Sequence, residues 1–69
     1  MTKQELLTMV RTEHDETFAE RFIEMLNTGQ LIYELGVIRE DTGTDQVLVG
    51  IVHEDEVETS DRLLELVYG

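Results

Sequence analysis

The chain has 69 residues, enough for one small domain, and it contains no cysteine, so neither a disulfide nor a thiolate metal site can stabilise it. Sixteen Asp and Glu residues against five Lys and Arg give a net charge of −11, which repels nucleic acid and anionic membranes and attracts basic partners. No apolar run approaches the ~18 residues of a membrane span, and residues 1–5 lack the basic segment of a signal peptide, so we expect a cytoplasmic protein.

Two helices are predicted before residue 30. Thr2, followed three positions later by Glu5, matches a capping box and marks the start of the first helix. Two sets of apolar side chains fall on nearly opposite sides of one helical wheel. The first set is Leu6, Leu7, Met9 and Val10, and the second is Phe18, Ala19, Phe22, Ile23, Met25 and Leu26. We therefore predict a break between Thr12 and Asp15, either of which could cap a second helix that ends at Gly29. A continuous helix is the alternative if a partner covers its N-terminal part.

The middle of the chain predicts one antiparallel β-hairpin. Residues 31–39 and 46–53 are rich in β-branched and aromatic side chains, and residues 41–44 between them have turn chemistry. Centring the turn on residues 42–43 places Val37 opposite Leu48 and Leu35 opposite Gly50. One face would carry Leu31, Tyr33, Leu35, Val37, Leu48 and Val52, and the other Ile32, Ile38, Val47, Val49 and Ile51.

Because both faces of this hairpin are apolar, both must be covered. Helices would cover one face, and either the helices again or an oligomer or partner would cover the other. After an acidic segment, Thr59 or Ser60 is expected to cap a last helix, with Asp61 in its first turn. The prediction is an α+β fold in which residues 1–69 form a single small domain ordered ααββα. A central antiparallel hairpin is packed by helices and completed by oligomerisation or by a partner.

A row of carboxylates is the first candidate binding feature. Glu13, Glu16, Glu20 and Glu24 fall on one side of the helical wheel, opposite the apolar side. Steps of about 5–6 Å between such side chains are close to the ~7 Å between phosphates along one DNA strand. The alternative is an ordinary solvated helix face, with Arg21 weakening its field.

Two further acidic clusters strengthen the case for a functional surface. We predict that partner-binding residues continue into the second cluster, at Glu54, Asp55, Glu56 and Glu58. Asp61 and Glu65 extend this cluster, and the third consists of Glu40, Asp41 and Asp45.

No catalytic, cofactor-binding or metal site is predicted. His14 and His53 each precede acidic residues, but neither shows the i,i+4 ligand spacing of a helical metal site, and surface histidine is the simpler explanation. Glu34 lies in an apolar strand without an evident catalytic partner or cleft. Basic nucleic-acid-binding motifs are absent, so direct contact with nucleic acid is not expected. We expect a protein that is not an enzyme and has no cofactor.

The leading hypothesis is a small acidic binding protein that docks, as inhibitor or adaptor, on a basic surface of a nucleic-acid-processing protein. The analogy, of charge and size alone, is to phage-encoded DNA mimics that counter host defences. The first alternative is a homo-oligomeric structural subunit of a larger assembly, because a two-sided apolar hairpin needs a cover. The second is a halophilic protein whose acidic coat serves only solubility.

Overall fold

The structure, a computed structural model, describes residues 1–52, 57–58 and 61–69, with only the backbone described at 57–58. In this part of the chain the elements are α1 (Lys3–Glu13), α2 (Glu16–Asn27), β1 (Leu31–Glu34), β2 (Val37–Asp41), β3 (Gln46–Val52), β4 (Val57–Glu58) and α3 (Asp61–Tyr68). The α+β fold of one small domain is confirmed. The predicted hairpin of two strands is corrected to a sheet of four antiparallel strands in the order β1-β2-β3-β4.

The predicted break between two N-terminal helices is confirmed. The Thr2 side chain accepts a hydrogen bond from the Glu5 amide at 3.2 Å and so caps α1. The helix ends before His14, which has the extended dihedrals φ −124° and ψ 163°. Asp15 then caps α2 by accepting a hydrogen bond from the Phe18 amide at 2.7 Å. Between the two candidate caps, the structure therefore selects Asp15, and the second helix has its own start signal.

The end of α2 also agrees with the sequence. Gly29 follows the helix with φ +79°, the left-handed conformation that glycine accepts without steric cost. No helix in the described part of the chain is both long and apolar enough to cross a membrane.

The first predicted strand, residues 31–39, is not continuous. Leu35 and Gly36 have φ +51° and +82° and form a two-residue turn that joins β1 to β2. A Cβ atom at Gly36 would lie 3.1 Å from the carbonyl oxygen of Val52, so a side chain would be crowded there, and the positive φ also favours glycine. The turn was not predicted, because leucine rarely adopts positive φ and the neighbouring residues favour a β-strand.

The predicted register between the flanking strands was wrong. Val37 pairs with Ile51 rather than Leu48, and Leu35 lies in the turn rather than opposite Gly50. Ile38 pairs with Gly50 while its neighbour Arg39 pairs with Leu48, which leaves Val49 as the extra residue of a β-bulge. The predicted turn at residues 41–44 does form, and Asp41 Oδ1 accepts a hydrogen bond from the Gly43 amide at 2.8 Å.

The bulge and the first turn change which side chains share a face. Helices α2 and α3 contact β1 and β3, and the sheet side chains buried in this core are Leu31, Ile38, Val49 and Val52. The helices contribute Leu6, Val10, Phe18, Ala19, Phe22, Met25, Leu26, Leu63 and Val67. The opposite side, called here the outer sheet face, carries Ile32, Glu34, Val37, Arg39, Asp41, Gln46, Leu48 and Ile51. Leu48 and Ile51 are 54% and 49% exposed, so the alternative in which helices cover both faces is wrong.

Candidate protein-binding surface

The solvent side of α2 presents three carboxylates in a row. Glu16, Glu20 and Glu24 are all exposed and follow one another at intervals of four residues. Four residues of α-helix correspond to an axial step of about 6 Å. Within the described residues none of the three has an ion-pair partner within 4.0 Å, whereas Phe18 and Phe22 on the opposite side are completely buried. We name Glu16, Glu20 and Glu24 the α2 carboxylate row.

Glu13 does not belong to this row. It is exposed, but it is the last residue of α1, and the extended backbone of His14 separates it from α2. The helical wheel that placed Glu13 beside Glu16 assumed continuous helix, and the break removes that relationship. The four-membered row of the sequence prediction is therefore corrected to three members on one helix.

A cation from α1 lies beside the row and was not predicted. Arg11, Glu16 and Glu20 line a shallow groove of about 390 Å³, to which Ala19 and Ile23 also contribute. The predicted cation, Arg21, instead lines a different depression together with Glu40 and Asp41. No sequence spacing links Arg11 to α2, because only the angle between the two helices brings its side chain to the groove.

At the N-terminal end of α2, the Asp15 carboxylate is engaged in structural contacts. Besides capping the helix, it accepts a hydrogen bond from the Tyr68 hydroxyl, which lies 3.3 Å and 3.2 Å from its two oxygens. The pKa of Tyr68 is raised above its ordinary value. The largest cause is desolvation, and the hydrogen bond to Asp15 and the negative charge of Asp15 add to it. Asp15 therefore contributes to stability here and differs from the unpaired row beside it.

His14 is part of the helix packing. Its ring stacks on Phe18 with 4.3 Å between the centroids, and its buried Nε2 atom has no hydrogen-bond partner. Among the described residues, no three side chains of His, Asp or Glu lie close enough together to hold a metal ion.

The second acidic cluster lies mostly outside the described residues. Glu54, Asp55 and Glu56 lie outside the described residues, and Glu58 is described only as a backbone position of β4 that pairs with Ile51. Their role in partner binding stays a prediction.

The carboxylates of the third cluster make contacts within the fold. Glu40 pairs with Arg62 at 3.0 Å, Asp41 Oδ1 accepts the Gly43 amide, and Asp45 Oδ1 accepts the Gln46 amide at 2.8 Å. These carboxylates stabilise a turn and a contact between β2 and α3, so they add less to a free acidic surface than their number suggests.

Comparison with known proteins finds no matching family model, no similar curated protein and no matching solved structure. The function is therefore argued from the chemistry of the surface itself.

Proposed function

We propose that this chain is a non-enzymatic binding protein that docks through the α2 carboxylate row on a basic, nucleic-acid-binding surface of another protein, as an inhibitor or adaptor. The observation that carries the proposal is the row itself. Glu16, Glu20 and Glu24 are exposed, regularly spaced and unpaired among the described residues.

The spacing of the row suits a site that binds a phosphate backbone. An axial step of about 6 Å between successive carboxylates is close to two axial steps of ~3.4 Å between phosphates of one strand. Lys and Arg side chains placed to contact every second phosphate could therefore contact successive carboxylates. The overall charge of −11 would also steer the chain toward such a surface and away from nucleic acid itself.

Apart from Glu16, which lies in the first turn of α2 and interacts favourably with the helix dipole, the row does not help the protein to fold, and this favours a role in binding. Like charges four residues apart on a helix destabilise it by a few tenths of a kcal/mol per pair. The chain nevertheless has two such pairs in succession, Glu16 with Glu20 and Glu20 with Glu24, without a described ion pair to offset them. We place this activity in the cytoplasm, because a chain without cysteine requires no oxidising compartment.

The test is capture of partners from host lysate on the immobilised chain at low salt, followed by stepwise salt elution and mass identification. We expect one nucleic-acid-processing protein that elutes at moderate salt and is displaced by duplex DNA or RNA, because screening weakens exposed charge pairs. The variant E16Q/E20Q/E24Q should lose most of this capture.

A matched control removes the same number of charges elsewhere. E5Q/E34Q/D45N changes three exposed carboxylates that lie outside the row and outside the second acidic cluster, and it should retain capture. Equal losses in both variants would show that net charge alone drives binding, and salt-insensitive capture or no specific protein would overturn the proposal.

The halophilic alternative is tested without a partner. If the acidic coat served only solubility at high salt, the fold would be lost in dilute buffer. We expect instead a cooperative thermal transition at low salt, because the described core is formed by close-packed apolar side chains. A chain that folds only in molar salt would remove the basis for a binding role.

A further inference from the structure

We propose that the outer sheet face binds an amphipathic helix of another protein, with apolar residues along one side of that helix and Lys or Arg at its margins. This inference goes beyond the function proposed for the α2 carboxylate row and does not depend on it. It rests on the strand register, on the exposure of the side chains that share this face, and on the sign of the charges around them.

The middle of the outer sheet face is apolar and has no cover within the described residues. Leu48 and Ile51 are about half exposed, whereas Val49 of the same strand is buried in the core. Ile32 and Val37, which are half-buried, continue the patch onto β1 and β2. Exposed apolar side chains grouped on one face of a sheet mark a contact surface.

The bulge at Val49 brings Leu48 and Ile51 to the same face. Positions three apart on a regular strand point to opposite faces, so these two side chains would be separated without the extra residue. The register places Leu48 opposite Arg39 and Ile51 opposite Val37, which both belong to the outer sheet face. An irregularity in β3 therefore makes the exposed apolar patch continuous.

Acidic residues stand at the margins of this patch. One row across the sheet consists, in order, of Glu34, Val37, Ile51 and Glu58. An acidic residue therefore stands at each end of two apolar ones, although only the backbone of Glu58 is described. Asp41 is exposed and lies on the same face of β2, at its last position. The apolar patch is thus bordered by negative charge on three strands.

The position of Arg39 limits where a partner can carry basic residues. This side chain is exposed and has no ion-pair partner among the described residues. It lies in the middle of the face, between Ile32 on β1 and Leu48 on β3. Because like charges repel across an interface, basic residues of the partner should meet the margins at Glu34 and Asp41 and avoid the centre.

These charges identify the class of partner. A second copy would bring the acidic margins of one face against those of the other, on two chains that each carry a net charge of −11. An anionic membrane and nucleic acid would be repelled for the same reason. An apolar patch with acidic margins is complementary to an apolar surface with basic margins.

The backbone of the sheet favours a helix as the occupant. Strands β2 and β3 are each paired on both sides, so this face offers side chains but no free backbone groups. An extended segment laid on it would leave its own backbone groups unpaired, whereas a helix satisfies them internally. The patch covers three strands, a width of about 10 Å, which two turns of helix, about 11 Å long, would cross. The bound helix and α2 would then lie on opposite sides of the sheet.

Leu35 supplies an independent observation. It is 88% exposed in the turn that follows Glu34, and its φ of +51° is unfavourable for leucine. Backbone strain that is kept at an exposed apolar residue is typical of a functional contact. We expect Leu35 to contact the partner helix beside the acidic margin.

The test titrates the full chain with a synthetic peptide and measures binding by isothermal titration calorimetry. The peptide has about 18 residues, with leucine along one side of the helical wheel and lysine along both borders of that side. A scrambled peptide of the same composition is the control for charge alone. We expect the amphipathic peptide to bind at least about tenfold more tightly than the scrambled one, because only it presents a continuous apolar side.

Substitutions on the two sides of the sheet locate the site. Leu48→Asn should weaken binding about tenfold, because a central apolar contact is lost. Val47→Asn is the matched control, since Val47 has similar exposure (46%) and points to the other side of the sheet. Leu35→Asn should also weaken binding although asparagine suits this turn better than leucine, so unfolding cannot explain the loss. Circular dichroism checks that all three variants are folded.

Charge substitutions test the margins. E34Q/D41N should weaken binding of the amphipathic peptide several-fold, and asparagine at position 41 can still accept the hydrogen bond of its turn. E5Q/E13Q removes the same number of exposed carboxylates from α1 and should have a smaller effect. R39Q should bind the peptide more tightly, because a repulsive charge at the centre of the face is removed.

Several results would overturn the proposal. They are equal binding of the two peptides, equal effects of Leu48→Asn and Val47→Asn, and equal effects of E34Q/D41N and E5Q/E13Q. Loss of peptide binding in E16Q/E20Q/E24Q, with binding retained in Leu48→Asn, would place the peptide on the α2 carboxylate row instead. Dimerisation of the unbound chain that Leu48→Asn abolishes would identify a second copy as the occupant.

Discussion

The Tyr68 hydroxyl donates a hydrogen bond to the carboxylate of Asp15, 53 positions earlier in the sequence. The contact ties the last turn of α3 to the cap of α2. The Tyr68 ring also lies 5.4 Å from that of Phe18, whose amide is bound by the same carboxylate. Helices α2 and α3 therefore meet at Asp15.

Removing Asp15 should cost more stability than removing the Tyr68 hydroxyl. Asp15→Ala eliminates both the cap and the tie, and we expect a loss of about 1–2 kcal/mol in the free energy of unfolding. Tyr68→Phe should cost less, since it removes only an exposed hydrogen bond and leaves the cap in place. Urea denaturation of both variants and of the double variant measures the coupling, and strictly additive losses would show that the tie contributes nothing.

Stability should fall at alkaline pH through Tyr68. Its pKa is raised in the folded chain by desolvation and by Asp15, so the unfolded chain releases the phenolic proton at lower pH than the folded chain does. The contribution of this group is therefore fully present below the ordinary tyrosine pKa of about 10 and is lost as pH rises through the raised value. Melting temperatures from pH 8 to 11 should fall less steeply in Tyr68→Phe, and identical slopes would contradict this role.

Replacing His14 by phenylalanine should stabilise the fold. The His14 ring stacks on Phe18, but its Nε2 atom is buried without a hydrogen bond, which costs about 1–3 kcal/mol for such a group. Phenylalanine retains the ring and removes the unsatisfied atom, and its aromatic side chain suits the extended backbone there. His14→Ala is the control and should destabilise by removing the ring. A lower unfolding free energy for His14→Phe would indicate that Nε2 has a partner in solution.

Leu35→Asn should also stabilise the monomer, by about 1 kcal/mol. Asparagine followed by glycine is the preferred sequence for a two-residue turn with positive φ at both positions, as found at residues 35–36. Leu35→Val should destabilise, because a β-branched side chain tolerates positive φ poorly. Thermal melts measure this effect, and a destabilised Leu35→Asn would mean that the leucine makes contacts within the fold.

Glu20→Gln should raise stability by a few tenths of a kcal/mol at low ionic strength, because it relieves repulsion from both Glu16 and Glu24. The gain should disappear in molar salt, where the Debye length is about 3 Å. Glu5→Gln is the control and should give no such gain, since a carboxylate in the first turn of α1 interacts favourably with the helix dipole. A gain that persists in high salt would have a cause other than repulsion within the row.

The sequence by itself determined the local features of the fold. Thr2 and Asp15 supply side-chain acceptors at the starts of α1 and α2, Gly29 permits the positive φ after α2, and Asp41 binds the amide of its own turn. Each of these depends on atoms within a few residues of one another, so the pattern of residue types is enough to predict it. The spacing of the α2 carboxylate row follows from helix geometry in the same way.

Only the tertiary structure decided the sheet and its surroundings. Both faces of the predicted hairpin were apolar, so the hydrophobic pattern did not show which residues face the core. A turn at Leu35 and a bulge at Val49 each shifted the pairing, and their signals in the sequence, Gly36 and Gly50, do not specify how. The same holds for Arg11, which reaches the groove beside Glu16 and Glu20 through the packing of two helices. These features depend on pairing and packing between elements, where the free energy of the whole core selects one arrangement among several locally acceptable ones.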